Sequence, residues 1–381
     1  MKITGIICEY NPLHLGHKKQ IDKIRQEHGD DTGIVCLMSG QFVQRGEPAI
    51  FDKMYRAKAA VLTGADLVLE LPVTSAISSA EGFAEGGVSI LSPFCDYLSF
   101  GTETAAPDQL MRIAQLLLSE DFRVHLHNML DTGISFPAAR QAALEAMGAD
   151  GTILEQPNNI LAVEYCKAIL SKKSTMQPCP IHRDGDYHST EPDCENPSAT
   201  ALRHCIANGN WMPYVPDEVV LCYQNAATHT LLSGERAILS KLRCMTEEAF
   251  SNVPYGSEGL WRKFMHAVNK CSTIEEIIDS VKSKRYTRSR IQRMLLCAFL
   301  GITQNDINTP APYVRVLAFN DRGREILNKA RQTGRFINIG EQQDDPYQDL
   351  ENLCSDLYGL FADHCIEPAG MESNRRVYYQ K

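Results

Sequence analysis

Over the first 100 residues, runs of apolar β-formers alternate with stretches whose apolar side chains recur every three or four positions. The runs lie at Ile3–Cys8, 33–38, Leu67–Leu71 and 97–100, and read as strands buried on both faces. The stretches between them, 17–27, 51–63 and 76–91, have helical length and periodicity. Gly64 stands where a left-handed helix cap is expected, and Pro72 closes the third strand. Strands that alternate with helices predict an α/β fold, a parallel sheet wound in βαβ units with helices on both faces. Such sheets take ligands beyond the carboxyl ends of their strands, where the strand order reverses.

The pattern then turns helical over 107–147 and again over 158–170, with a short strand expected at 180–182. Asn196-Pro197-Ser198 offers side-chain oxygens and a proline at the start of a helix over 198–207. Helices are expected at 217–244, 257–270, 274–283, Arg288–Leu300 and 350–362, with one strand at 313–319. This divides the chain into a sheet-containing domain, 1–210, and a mainly α-helical domain, 211–381. The 381 residues are long enough for two such domains.

Composition narrows the classes. A hydrophobic fraction of 44% with 22% charged residues excludes wholesale disorder, and no apolar run has the length to cross a bilayer. The first residues, Met1-Lys2-Ile3-Thr4-Gly5, read as the entry to a strand rather than a secretion signal. Thirteen cysteines, an odd number with no Cys-x-x-Cys pair, argue against a disulfide framework or thiolate zinc site. A reducing compartment, the cytoplasm, is expected. The net charge of −9 leaves nucleic acid open, because phosphate binding depends on local patches.

The strongest chemical signal is Glu9-Tyr10-Asn11-Pro12-Leu13-His14-Leu15-Gly16-His17, at the passage from the first strand to the first helix. Two imidazoles one helical turn apart, a glycine between them and the positive end of a helix dipole suit an anion such as a phosphate. They also suit the charge that builds on an α-phosphate during nucleotidyl transfer. His-x-Gly-His arises by chance in only about 0.02 of chains of this composition. A metal held by His14 and His17 is not expected, since no third ligand follows at suitable spacing. His182 and His188 flank a turn and likewise lack a ligand set. Cys8 reads as a strand residue and not a nucleophile.

This motif resembles the signature of the nucleotidyltransferase superfamily, whose Rossmann-like (HUP-type) fold is shared with class I aminoacyl-tRNA synthetases. The synthetases' lysine-rich Lys-Met-Ser-Lys-Ser loop is absent. Ser198-Ala199-Thr200-Ala201-Leu202-Arg203 is similar to the superfamily's Ser-Ser-Thr-x-x-Arg helix start, apart from Ala199. Ser198, Thr200 and Arg203 would hold β- and γ-phosphates, although Ser198 also reads as a plain N-cap.

Longer strings resemble one family in particular, the bacterial tRNA(Met) cytidine acetate ligases. They are residues 9–17, 38–49, Phe100-Gly101-Thr102-Glu103, Pro157-Asn158-Asn159-Ile160-Leu161, 183–188 and the basic string Lys284-Arg285-Tyr286-Thr287 with Arg290-Ile291 and Arg293. Leu13, Leu15 and Ala162 depart from the family's Phe, Asn and Gly, between the reactive positions. The resemblance implies that acetate attacks the α-phosphate of ATP, and that acetyl-adenylate then acylates N4 of the wobble cytidine in elongator tRNA(Met). ATP with Mg²⁺ is implied, and acetyl-CoA is not.

Residue by residue, the resemblance places nucleotide along Ile7, Cys8, Glu9, Tyr10, Asn11, Pro12, Leu13, His14, Leu15, Gly16, His17, Lys18, Lys19 and Gln20, with His14 and His17 catalytic. It adds Gly101, Asn158 or Asn159, and Arg183; an N-cap role is the alternative for the asparagines and a solvated surface position for the arginine. Arg45 would meet acetate or tRNA, or pair with Glu47. Lys282, Lys284, Arg285, Tyr286, Arg288, Arg290 and Arg293 form a basic string without an acid, expected on tRNA, with a solvated basic face as the alternative. Two rival functions remain at this stage, a cofactor adenylyltransferase and a non-catalytic RNA-binding protein.

Overall fold

The computed structural model describes residues 1–103, 106–182, 197–364 and 368–381. The four expected strands form as β1 (Ile3–Cys8), β2 (Gly33–Ser39), β3 (Leu67–Leu71) and β4 (Tyr97–Thr102). Between them run the helices α1 (Leu15–His28), α2 (Lys53–Leu62) and α3 (Ala80–Leu91). The stretch expected as one helix over 76–91 is divided, because the Ser79 hydroxyl accepts the Gly82 N–H and starts α3 anew. Later come α4 (Pro157–Ser171), the edge strand β5 (Gln177–His182) and α5 (Ala199–Ala207), the last capped by Ser198.

Successive side chains of β1, β2 and β3 alternate between two apolar layers. Ile3, Ile7, Val35, Leu37, Leu67 and Leu69 pack with Val88 and Leu91 of α3 and Val163 of α4. Ile6, Ile34, Cys36 and Val68 pack on the other face, with Ile21 and Ile24 of α1 and Ala60 of α2. Burial on both faces is what the near-continuous apolar runs require.

The helical region, Glu235–Arg243 to α6 (Arg288–Leu300), has a core of its own, in which Ile238, Phe264, Ile277 and Leu295 meet Phe42 and Tyr358. The single helix expected over 217–244 is two, Asp217–Tyr223 and Glu235–Arg243. The backbone between them is drawn out by distant partners: the His229 N–H donates to Ile50 O and the Thr230 N–H to Phe361 O. The last long helix, α7 (Pro346–Tyr358), begins before the expected 350, with Pro346 in its first turn and Asp345 accepting the Tyr347 N–H at 2.8 Å.

The expected boundary at 210/211 is not where the sheet ends. The chain returns to it with β6 (Val314–Phe319), β7 (Phe336–Asn338) and β8 (Tyr378–Tyr379). The spatial order is β8-β6-β3-β2-β1-β4-β5, with β7 also paired to β6. All pairings are parallel except β6 against β3. From β1 the chain builds β2 and β3 on one side, then crosses to place β4 on the other. The order reverses between β1 and β4, and the crevice at their carboxyl ends is where this topology presents a ligand.

Candidate active site

A cavity of about 760 Å³ occupies that crevice. Its floor is the turn after β1. Tyr10 takes a left-handed φ of 45°, with its hydroxyl 3.3 Å from Cys36 Sγ. Arg56, fully buried on α2, donates to the carbonyls of Glu9, Ser39, Gly40 and Phe51, and so ties down the carboxyl ends of β1 and β2. The sequence carries no motif for this residue; a buried arginine is identified only by the carbonyls that converge on it.

His14 and His17 form a reciprocal cap at the start of α1. The Gly16 N–H donates to His14 Nδ1 at 3.1 Å, and the His14 N–H donates to His17 Nδ1 at 3.2 Å. The rings stack with centroids 3.8 Å apart. A neutral imidazole that accepts at Nδ1 holds its proton at Nε2, so the caps give both rings the same tautomer. The Nε2–H of His17, the more exposed ring, is then a donor for a phosphate oxygen, and the fully buried His14 ring stacks against it. Gly16 has a structural reason beside the expected one, close approach of a nucleotide. A Cβ there would lie 3.0 Å from His14 Cε1, so the glycine makes room for the cap ring.

Among the residues expected on nucleotide, Ile7, Cys8, Glu9, Tyr10, Asn11, His14, Gly16, His17, Lys19, Gln20, Gly101, Asn158, Thr200 and Arg203 line this cavity. Pro12, Leu13, Leu15, Lys18, Asn159 and Ser198 do not. Leu13 is wholly buried in the core, and Lys18 pairs with Asp22 on the outer side of α1. Arg183 and His188 fall outside the described residues. Arg203 crosses from α5 to donate to Asn11 O at 2.8 Å and to Thr200 Oγ1 at 3.3 Å. The Ser198 hydroxyl accepts the Ala201 N–H, the capping role.

Asn158 and Asn159 are not N-caps; both lie inside α4, which Gln156 precedes. The cap is supplied from β4 by Glu103, whose carboxylate accepts the N–H groups of Asn158 and Asn159 and the Asn158 amide at 2.6 Å. Asn159 Oδ1 in return accepts the Glu103 N–H. A cap 55 positions away in sequence leaves no local signature.

The far wall comes from α6 and the turn 43–47, which brings Gln44, Arg45 and Glu47 to the cavity. Thr287, Arg288, Ser289, Gln292 and Arg293 line it as well. The basic string therefore divides. Arg288 and Arg293 line this cavity, and Lys282, Lys284, Arg285, Tyr286 and Arg290 lie outside it. Arg288 is held by Glu275 through bonds of 2.6 and 2.5 Å. Arg285 pairs with Glu258, which also accepts the Tyr286 hydroxyl. Arg290 donates to Tyr255 O and Ser257 Oγ. Glu47 Oε1 accepts the Gln292 amide at 3.1 Å.

Burial pushes the Cys8 thiol well up, which keeps it protonated and unsuited to nucleophilic attack. Glu27, His28 and Cys179 bring one donor atom each within 4.8 Å of one another, outside the cavity. Burial, together with the Glu27 carboxylate, lifts the Cys179 thiol to about 12. No helix among the described residues is long and apolar enough to cross a membrane.

A stacked His-x-Gly-His cap at the strand-order reversal of a parallel sheet defines a nucleotidyltransferase-type site. The family model described as HIGH Nucleotidyl Transferase matches residues 1–370, and the chain belongs to that family. Within it, this is a member of the tRNA(Met) cytidine acetate ligases. The ligase of Acetivibrio thermocellus is 34% identical, with 99% of each chain covered. That of Clostridium novyi is 38% identical over 87% of this chain and 88% of its own. The structure of Thermotoga maritima TmcAL without ligand superposes with a TM-score of 0.90 at 28% identity, covering 100% of this chain and 99% of that one. TmcAL bound with alpha-thio ATP gives 0.86 at the same identity and coverage.

Proposed function

We propose that the protein joins acetate to the α-phosphate of ATP, releasing pyrophosphate, and passes the acetyl group to N4 of the wobble cytidine, C34, of elongator tRNA(Met). The observation that carries this reading is that one cavity is lined by both the His14–His17 cap and the basic amino end of α6. Phosphate-binding groups on one wall and RNA-suited groups on the other match a two-step acyl transfer. In the first step the α1 amino end and the Nε2–H of His17, its ring held by His14, stabilise charge growing on the α-phosphate, with Arg203 beside them. No protein nucleophile is required, because acetate itself attacks.

Magnesium enters as part of the MgATP substrate. Glu9 and Glu47 are the carboxylates among the described lining residues, fewer than a dedicated Mg²⁺ cage needs. Acetyl-CoA has no part in the scheme, and the cytoplasm, where tRNA and ATP meet, is the expected compartment. Purified protein with labelled acetate, MgATP and tRNA tests the reading. Acetyl transfer that needs ATP and not acetyl-CoA is the expected result. Absence of acetate-dependent pyrophosphate exchange overturns it. Formation of a dinucleotide from ATP and a cofactor precursor would favour the adenylyltransferase alternative.

A further inference from the structure

The two walls of the cavity meet at one acid. Glu9 follows β1 directly, and its Oε1 accepts the Gln44 N–H at 2.7 Å. Gln44 belongs to the turn that α6 supports: Arg293 Nη1 donates to Gln44 O at 3.2 Å. Gly46 lies so close to α6 that a Cβ there would sit 2.5 Å from Arg293 N. Glu9 thus bridges the nucleotide-side strand and the wall assigned to RNA. The other lining carboxylate, Glu47, already accepts the Gln292 amide.

Acylating an exocyclic amine has a requirement that adenylate formation lacks. Once N4 has attacked the acetyl carbonyl, a proton must leave the nitrogen. We infer that Glu9 is the proton acceptor of the acetyl-transfer step, which rests on the function proposed above. The N4 lone pair forms the new C–N bond, the bond from carbonyl carbon to phosphate oxygen breaks, and AMP departs with that electron pair. One N4 proton passes to the Glu9 carboxylate, and from there to solvent. Oε1 keeps its backbone donor, which fixes the carboxylate in place throughout.

The environment suits the task. Burial pushes the Glu9 carboxyl above the usual range, against the Gln44 N–H and the nearby charges of Arg45, Arg203 and Arg56. The Tyr165 hydroxyl, also in its field, is itself lifted by burial and stays neutral. A raised carboxyl is a stronger base once ionised.

The test is Glu9→Gln in the full-length enzyme, since glutamine keeps an oxygen for the Gln44 N–H and nearly the same volume. Two rates are read between pH 4 and 9: acetate-dependent ATP–pyrophosphate exchange, and single-turnover transfer to tRNA. Transfer at pH 7 should slow by about 10²- to 10⁴-fold, while exchange falls by less than about tenfold. The parent's transfer should rise with pH as Glu9 ionises and then level off, and the variant should lose that rise. Transfer at the parental rate, or equal losses in both steps, overturns the assignment. Should the variant not fold, the parent decides: a transfer rate flat from pH 4 to 8 sinks the idea. A parent without acetate-dependent exchange removes the proposed function instead.

Discussion

Two concentrations of charge lie on opposite halves of the sheet, and they are built on different terms. Beside β3 and β6, Lys53 reaches Glu70 at 2.7 Å and Glu372 at 2.5 Å, all three almost fully buried. Arg315 reaches Glu372 at 2.9 Å, and Arg375 forms two bonds with Asp52. In the crevice after β1 and β4, basic side chains such as His17, Lys19, Arg45, Arg203 and Arg293 line a cavity in which, among the described residues, Glu9 and Glu47 are the carboxylates. The first region neutralises its charges internally, as burial demands. Among its described lining residues the second carries more basic than acidic side chains, which suits a polyanion. Buried charge thus fastens the carboxyl-terminal segment to the sheet, and partly solvated charge lines the crevice.

Substitutions separate the two regions. The largest effect is expected from His17→Ala or His14→Ala, which remove the Nε2–H donor or the ring stacked against it, and half of the α1 cap. Acetate-dependent pyrophosphate exchange should fall by about 10²- to 10³-fold or more, while urea unfolding of the His17 variant shows only about 1 kcal/mol lost from the cap. Exchange at near-parental rates would show that the cap is structural and that catalysis lies elsewhere.

Lys53→Met reverses the pattern. It strands Glu70 and Glu372 in the interior and should cost about 3–5 kcal/mol in urea unfolding. The Michaelis constant for ATP in the folded enzyme should stay unchanged, because Lys53 does not line the cavity.

Asp52→Asn carries a pH signature. Burial by itself raises the Asp52 carboxyl, but the Arg375 guanidinium, the Gln41 amide and the Met54 N–H together outweigh burial and hold it well below the usual range. A depressed folded value means that the stabilisation is present above the ordinary carboxyl pKa and is lost as pH falls through the folded one. Asparagine should therefore cost about 2 kcal/mol at neutral pH, in a gap that narrows below about pH 4. A gap that stays constant down to pH 2 would contradict the pairing.

The smallest effect is expected at the exposed basic string. Arg285→Glu should weaken tRNA binding by about tenfold at moderate salt, with a shallower salt dependence, and leave pyrophosphate exchange alone. Unchanged affinity would confine the RNA contact to Arg288, Arg293 and the cavity itself.

The nucleotide side was legible because its elements are local. The strand–turn–helix at residues 3–28 and the capping pair His14 and His17 fall within a few positions of one another, so periodicity and spacing reveal them. The helix Arg288–Leu300 was legible for the same reason. Where the expectation and the structure part, a distant partner had acted. Glu103 capped α4 in place of its own asparagines, Ile50 and Phe361 drew residues 229–230 out of a helix, and β6 closed the sheet from beyond residue 313.

From sequence alone came the parallel sheet, the His-x-Gly-His turn at the start of α1 and the family with its chemistry, since these rest on short-range periodicity and contiguous motifs. Tertiary structure alone decided that the amino end of α6 faces the His14–His17 cap, that Arg56 binds the strand ends, and that Glu9 joins the two walls. Those contacts join residues tens to hundreds of positions apart. Hydrophobic patterning tells each element which face to bury, but not which distant element will cover it.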